Sequence, residues 1–433
     1  MTPMIYGLGM VLFFLGVVIS IALHEIGHLV PAKRFGVKVT QYFVGFGRTV
    51  WSTKRGETEY GVKMFPLGGF IRMIGMLPPE KRDADGKVKG ITGGPLGKLI
   101  ADARAVEYER ITPEDEDRLF YKKAPWKKII VMSGGPMMNV FLAVILLGSV
   151  FMLLGVSKPT LTVAQVSDCV QPANAAASVC RANDPASPAR TAGFQAGDRV
   201  LSVDGTAMRS WDQFSNVIRD SEGTTINVVV QRGDQRVVLH ADPTVNTLLS
   251  LDDPSAYVKA GFLGVAPTET RERQSFGFVV STMGSYTKAT GQALVTMPSR
   301  LWGVAKAAVG AQERDPSSPM SVVGASRVAG EVASSGQIDW VDKVATLLTL
   351  LGVVNLFVAL FNFIPLLPLD GGHIAGAMYE AIRRGWARLR HQPDPGYADV
   401  AQMLPIAYIA ASVLVVMGVL LIWTDIVNPI TLT

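Results

Sequence analysis

The stretch Ile19–Val30, ISIALHEIGHLV, closes an apolar run that begins at Ile5, yet it carries His24, Glu25 and His28. The run Ile5 to Leu23 holds no charged residue and is long enough, as a helix, to cross a bilayer. Each ionisable group at the centre of a span costs about 2.5–3.5 kcal/mol on insertion scales. Three such groups need a shared partner to offset that cost. His24 and His28 are four residues apart, so on a helix both imidazoles project from one face. That is the spacing of two ligands on one zinc ion. Glu25 lies beside such a metal rather than on it, where it can take a proton from the attacking water as general base. The rival reading is a helix end whose histidines only snorkel toward water.

The rest of the chain supports a membrane setting. Of 433 residues, 48% are hydrophobic and only 18% charged, a low charged share for a soluble protein. Three further uncharged stretches can span: Ile129 to Val156, Val344 to Leu369 and Met403 to Trp423. The first run lacks a basic n-region and a small-residue cleavage site, so it is not read as a removable signal peptide. The alternative is a large soluble enzyme with four buried helices. Residues 31–133 hold 20 Lys and Arg against 12 Asp and Glu, whereas residues 155–340 hold 16 against 17. The positive-inside rule makes the first loop cytoplasmic. Lys122, Lys123, Lys127 and Lys128 before the second span agree with this, as do Arg383, Arg384, Arg388 and Arg390 after the third. Both termini and residues 155–340 are then extracytoplasmic. Cys169 and Cys180 fall in that outer segment, where a disulfide between them is expected; two free thiols are the alternative.

A hydrolytic zinc site needs a third protein ligand and an open fourth position. The other histidines are His240, His373 and His391. His240 is assigned to the wrong side of the membrane. The stretch from Asn355, NLFVALFNFIPLLPLDGGHIAG, offers Asp370 after a long apolar run. Pro365 and Pro368 break the helix there, and exposed backbone at membrane depth requires protein or a water-filled cavity to satisfy it. Asp370 is therefore the expected third ligand, with a helix N-cap as its rival role, and His373 is the lesser candidate. Asn362, in the same broken stretch, can bind the scissile carbonyl or steady an oxyanion.

Between the first two spans, YFVGFGRTVWSTKRGETEYGVKMFPLGGFIRMIG alternates aromatic or β-branched with polar residues about the turn KRGE, which predicts β-hairpins. Within it FPLGGFIRM is apolar and Gly-rich. Phe65, Leu67, Gly68, Gly69, Phe70 and Ile71 are expected to form a strand edge that holds substrate extended, because Gly68 and Gly69 let another backbone approach; an interfacial anchor is the alternative. Residues 78–118 are charged and punctuated by Pro and Gly, which predicts a mobile insertion with one helix near Leu99 to Glu109. In the outer segment, AGFQAGDRVLSVDG is preceded by a short helix and followed by a helix from Trp211 to Ser221 and two strands split by RGD. This order, over Val163 to Pro243, resembles a PDZ domain.

Taken together, HExxH in the first span, SGGPMMN entering the second, the PDZ-like module and NxxPxxPxLDG in the third resemble the site-2 protease family of intramembrane zinc metalloproteases. YFVGFGRTVWSTKRGETEYGVKMFPLGGF, SPMSVVGASR and PLDGGHIA are similar to its actinobacterial members with one PDZ domain. The resemblance implies His24, His28 and Asp370 as zinc ligands, Glu25 as catalytic base and Asn362 as a substrate-positioning residue. The expected fold is a polytopic α-helical membrane protein. It has four transmembrane helices, a cytoplasmic membrane-associated β-hairpin region and an extracytoplasmic PDZ domain of α+β class. The expected boundaries are 1–30, 129–156, 344–369 and 403–424 for the spans. The hairpin region with its insertion takes 31–128, PDZ 157–245, an extracytoplasmic or interfacial region 246–343, and a cytoplasmic loop 370–402. The implied activity is regulated intramembrane proteolysis at the cytoplasmic membrane. Single-span substrates such as anti-sigma factors would be cut after an upstream site-1 protease has trimmed them. The bilayer is a further partner, and no nucleic-acid partner is expected. A zinc-binding scaffold or transporter that docks partners through PDZ is the rival from another class; it leaves Glu25 and Asn362 without work.

Overall fold

Pro3–Arg34 forms one helix, α1. It leads into two long strands, β1 (Val39–Arg55) and β2 (Thr58–Met73), then helices α2 (Gly94–Tyr108) and α3 (Pro125–Gly148), the latter prolonged by a π-helical turn over Ser149–Leu154. Next come β3 (Val156–Val166), α4 (Pro188–Thr191), β4 (Arg199–Val203), β5 (Thr206–Ala207), α5 (Trp211–Asp220), β6 (Ile226–Arg232), β7 (Gln235–Ala241), β8 (Thr244–Leu249), β9 (Tyr257–Phe262) and β10 (Val265–Glu272). Five helices follow: α6 (Phe276–Ala308), α7 (Val322–Ser334), α8 (Trp340–Asn362), α9 (Asp370–Leu389) and α10 (Leu404–Val427). The computed structural model describes residues 3–80, 91, 94–109, 111–171, 180–181, 183–250, 257–315, 317–336 and 338–430. The chain divides into two compact units, Met1–Leu154 with Ser275–Thr433, and Gly155–Gln274.

In the first unit, four helices among the described residues are long and apolar enough to cross a membrane: Pro3–Arg34, Pro125–Leu154, Trp340–Asn362 and Val400–Val427. The shortest has 23 residues, which at about 1.5 Å per residue exceeds a hydrocarbon core of about 30 Å. Close crossing of α1 and α3 depends on small residues. A Cβ at Gly134 would land on the Gly27 carbonyl oxygen. Pro31 lacks the N–H that would otherwise bond that carbonyl within α1. Helix α7 lies against the first half of α1, with Ala329 packed among Phe13, Val17 and Leu350. Two buried ion pairs tie the helices at their ends. Lys128 at the start of α3 meets Glu380 of α9 at 2.8 Å, and Arg314 meets Asp425 near the end of α10 at 2.6 Å.

Strands β1 and β2 are each long enough to fold back on themselves. Residues 59–62 of β2 pair with 41–44 of β1 on one side, and residues 69–73 pair with 39–44 on the other. The distal half of β1, Thr49–Arg55, pairs with Thr58–Lys63. The result is a four-stranded sheet in the order 49–55, 58–63, 39–44 and 65–73, with Phe65–Met73 at one edge. Its outer edge pairs with no strand among the described residues.

In the second unit, a sheet in the order β10-β3-β4-β6-β7, with β5 on β4, is covered by α5. The apolar positions of α5 explain this: Phe214 and Ile218, one turn apart, are buried against Val163, Val200 and Val228. Ser210 caps the helix by accepting the Gln213 N–H. Buried Asp198 takes a two-pronged bond from Arg232, at 2.7 and 2.8 Å. A disulfide joins Cys169 and Cys180.

Several expected boundaries are corrected. The compact unit does not end near residue 245 but runs to Gln274, because β10 returns to pair with β3, Val265 opposite Val166. The region 246–343 is therefore divided between the two units. The third span stops at Asn362 rather than 369, since Pro365 and Pro368 cannot continue a helix. α1 runs on to Arg34 instead of ending at residue 30. The charged insertion carries its helix at Gly94–Tyr108, and α2 is anchored rather than loose: Arg104 pairs with Asp399 at 2.6 Å. Residues 81–90, 92–93 and 110 of that insertion lie outside the described residues.

Candidate catalytic metal centre

Helix α1 presents His24 and His28 on one face, and the first residue of α9 is Asp370. The three meet. Nε2 of His24 and Nε2 of His28 are 3.3 Å apart, and Oδ2 of Asp370 is 3.4 Å from the first and 3.2 Å from the second. A tetrahedral ion with bonds of about 2.0–2.1 Å has ligand–ligand edges of about 3.3–3.4 Å, so the triangle has the size zinc requires. Protonation points the same way. Nδ1 of His28 is 2.8 Å from the Val131 carbonyl oxygen, which can only accept, so Nδ1 carries the proton and Nε2 a lone pair. That lone pair, a carboxylate oxygen without a hydrogen-bond donor and the His24 ring converge on one point. A cation satisfies them together.

The neighbouring backbone is shaped to this cluster. A Cβ at Gly135 of α3 would land on Nε2 of His28 and lie 2.6 Å from Nε2 of His24. A Cβ at Gly69 of the edge strand would lie 2.9 Å from Cγ of Glu25. Glu25 is buried, and its carboxylate accepts the Ile71 backbone N–H. A cavity of about 560 Å³ opens here, lined by all four of these ionisable residues, by the backbone of the edge strand and by Asn362 at the end of α8.

Of the expected substrate-binding residues, Gly68, Gly69, Phe70 and Ile71 line the cavity. Phe65 and Leu67 do not; they are exposed on the hairpin beyond it, Phe65 paired with Phe46. His373 lines the cavity but stands outside the three-residue cluster. His240 belongs to the second unit, bonded to Asn227, and His391 follows α9. Five polar residues to which sequence reasoning gave no role also line the cavity: Ser20, Arg72, Glu107, Asn139 and Asn355. Asn139 and Asn355 are buried with an amide oxygen unbonded, and both are polar residues inside apolar spans, a signal available in the sequence. Glu107 gave no such signal, since it sits among other charges in the insertion.

Known proteins resemble this chain over most of its length. The model of peptidase family M50 matches residues 12–394. The chain is similar to the zinc metalloprotease Rip1 of Mycobacterium tuberculosis, with 33% identity over 440 aligned positions, covering 99% of this chain and 100% of that protein. It is similar to the metalloprotease MmpA of Caulobacter vibrioides at 26% identity, covering 92% of this chain and 93% of that protein. Zinc metalloprotease RasP of Bacillus licheniformis is 25% identical over 83% of this chain and 87% of its own length. With its four apolar helices and a family match over most of its length, the chain belongs to peptidase family M50, the site-2 protease family.

Proposed function

We propose that the protein is a zinc-dependent intramembrane endopeptidase that cuts single-span membrane proteins, with pre-trimmed anti-sigma factors as its substrate class. The carrying observation is the triangle of electron-pair donors from His24, His28 and Asp370, beside buried Glu25 and a strand edge that pairs with no strand among the described residues. Its family makes the chain a metalloprotease of the membrane, and zinc is its cofactor.

His24, His28 and Asp370 would hold the zinc ion, which would supply Lewis-acid chemistry at the scissile carbonyl and the attacking water. Glu25 takes the proton of that water and passes it to the leaving amine. The Val131 carbonyl holds the His28 ring in the tautomer that leaves Nε2 free. Asn362 orients the scissile carbonyl with its amide. A helical substrate hides its peptide bonds in the i to i−4 ladder and must be unwound before attack. The outer edge of Phe65–Met73 takes the unwound segment as an added strand by main-chain hydrogen bonds. Gly69 lets that segment come close to Glu25.

The second unit is read as a PDZ domain on the outer side. A groove of about 190 Å³ between α5 and Gly261–Val265, lined by Trp211, Phe214 and Leu248, is of the kind that accepts an added peptide strand. Both termini are placed outside as well. Supporting this, α9 presents Met378, Tyr379, Ile382, Trp386 and Leu389 exposed on one face, with Arg388 and Arg390 beside them and Arg390 stacked 4.5 Å over Trp386. Such a helix, held between two spans, suits the basic inner interface.

Glu25→Gln tests the reading. It keeps the three ligands, so zinc should stay bound while hydrolysis falls by about 100- to 10,000-fold. Wild-type turnover in the zinc-loaded variant would remove Glu25 as the base.

A further inference from the structure

The edge strand leaves the cavity at Gly75 and Met76, and two sets of bonds hold that exit. On one side, Ile74 N–H donates to the Lys38 carbonyl at 3.1 Å, while Phe120 and Tyr121 donate to the carbonyls of Ile74 and Gly75 at 3.0 and 2.9 Å. Gly75 has φ +70°, and a Cβ there would lie 2.7 Å from Cβ of Leu119, so the chain turns tightly against that segment. On the other side stands the charged insertion. Glu107 of α2 accepts the Met76 N–H at 2.8 Å and also the Gly75 N–H. The next residue, Tyr108, donates its hydroxyl to the Leu77 carbonyl at 3.3 Å. Helix α2 is itself fixed at a distance. Arg104 makes two bonds to Asp399, at 2.6 and 2.8 Å, and the Ile91 N–H donates to Gln402 Oε1 at 2.8 Å, both just ahead of α10.

Glu107 lines the same cavity as Glu25 and the His24–His28–Asp370 cluster. Burial pushes its carboxyl above the usual range, against the two backbone N–H groups that stabilise the anion. The half-buried carboxylate bonds two consecutive backbone N–H groups, a use beyond the solvation of its own charge. Position is that use. A strand added at an edge takes its register from the edge, and a slip of one residue turns every side chain to the other face.

We propose that Glu107 is a positioning residue of the protease: its carboxylate holds the exit of the edge strand, and so sets which peptide bond of an added substrate strand lies opposite Glu25. The inference rests on the strand-addition reading above. It gives the charged insertion a role, as the bracket that carries this carboxylate from Asp399 to the edge strand.

The test uses the full-length, zinc-loaded protein in detergent with a single-span substrate. Zinc content, KM, kcat and the cleaved bond, located by mass spectrometry, are compared for wild type, Glu107→Ala, Glu107→Gln and Ile71→Pro. Glu107→Ala should keep zinc, raise KM by about tenfold, as expected for one charge-assisted hydrogen bond, and spread cleavage over neighbouring bonds. Glu107→Gln retains one acceptor but turns a donor toward the second N–H, so it should show the same changes to a smaller degree. A purely structural role would change the yield of folded protein without moving the cleaved bond. If Ile71→Pro is inactive but Glu107→Ala cuts the wild-type bond with wild-type KM, the positioning role is wrong, and that result leaves the strand-addition reading untouched. If Ile71→Pro is as active as wild type, strand addition falls and this inference with it. Should Glu107→Ala fail to fold, Glu107→Gln decides: a single wild-type cleavage site with unchanged KM overturns the proposal.

Discussion

Gly135 is the smallest residue with the largest local consequence. No side chain fits between α3 and the two imidazoles, because a Cβ at that position meets both Nε2 atoms. Gly135→Ala should therefore displace the rings and empty the metal site. Gly148→Ala, on the same helix with nothing within 4 Å of the added Cβ, should keep full zinc. Metal analysis of the two purified variants decides it; full zinc in Gly135→Ala would mean that the rings yield without losing the ion. The same measurement separates the two candidates at the start of α9. Asp370→Ala should lose zinc, because Oδ2 completes the triangle, whereas His373→Ala should retain it. The reverse result would move the third ligand to His373.

At the scale of elements, the proposal that substrate is held as an added strand rests on Phe65–Met73, the strand at one edge of the β1–β2 sheet. Its Ile71 N–H bonds Glu25, so Ile71→Pro perturbs both the base and the edge. The two effects are separable by substrate. A weakened base slows every substrate equally, whereas a damaged edge falls hardest on a span that must be unwound. Ile71→Pro should therefore cut a stable-helix substrate at least about tenfold more slowly than wild type and be less impaired on one loosened by Gly or Pro. Equal impairment of both would assign the residue to Glu25 alone. The exposed position of Phe65 and Leu67, outside the cavity, fits an interfacial surface on the hairpin better than a pocket.

At the scale of the membrane unit, the helices are fastened by few polar contacts, and each matters more for being buried. Arg314 and Asp425 are both 2% exposed, and Asp425 also accepts the Ser321 N–H and hydroxyl. Asp425→Ala leaves a buried guanidinium uncompensated, at a cost of about 3–5 kcal/mol. The double change Arg314→Met with Asp425→Leu removes both charges and should cost less. Thermal unfolding in detergent should rank wild type and the double variant above the single one; a single variant as stable as wild type would show that the pair is solvated.

The sequence by itself determined the features that depend on local spacing. Four apolar runs are long enough to span whatever surrounds them. His24 and His28 share a face because a helix repeats every 3.6 residues. Prolines at 365 and 368 mark a break ahead of Asp370, although the helix ends some residues before the expected limit. Only the tertiary structure decided what meets what. Asp370 reaches the histidines because α9 begins where the third span has ended, a closure between residues far apart in the chain. The return of β10 to β3 had no local signature, since pairing partners are chosen by long-range packing. Gly135 had no role of its own until α3 approaches α1, and Gly69, expected to admit a substrate backbone, also proves to leave room for the Glu25 side chain. Glu107 was one carboxylate among many in a charged insertion. Its place at the cavity comes from α2 being anchored to Asp399, and a contact between such distant segments leaves no mark on the spacing of either.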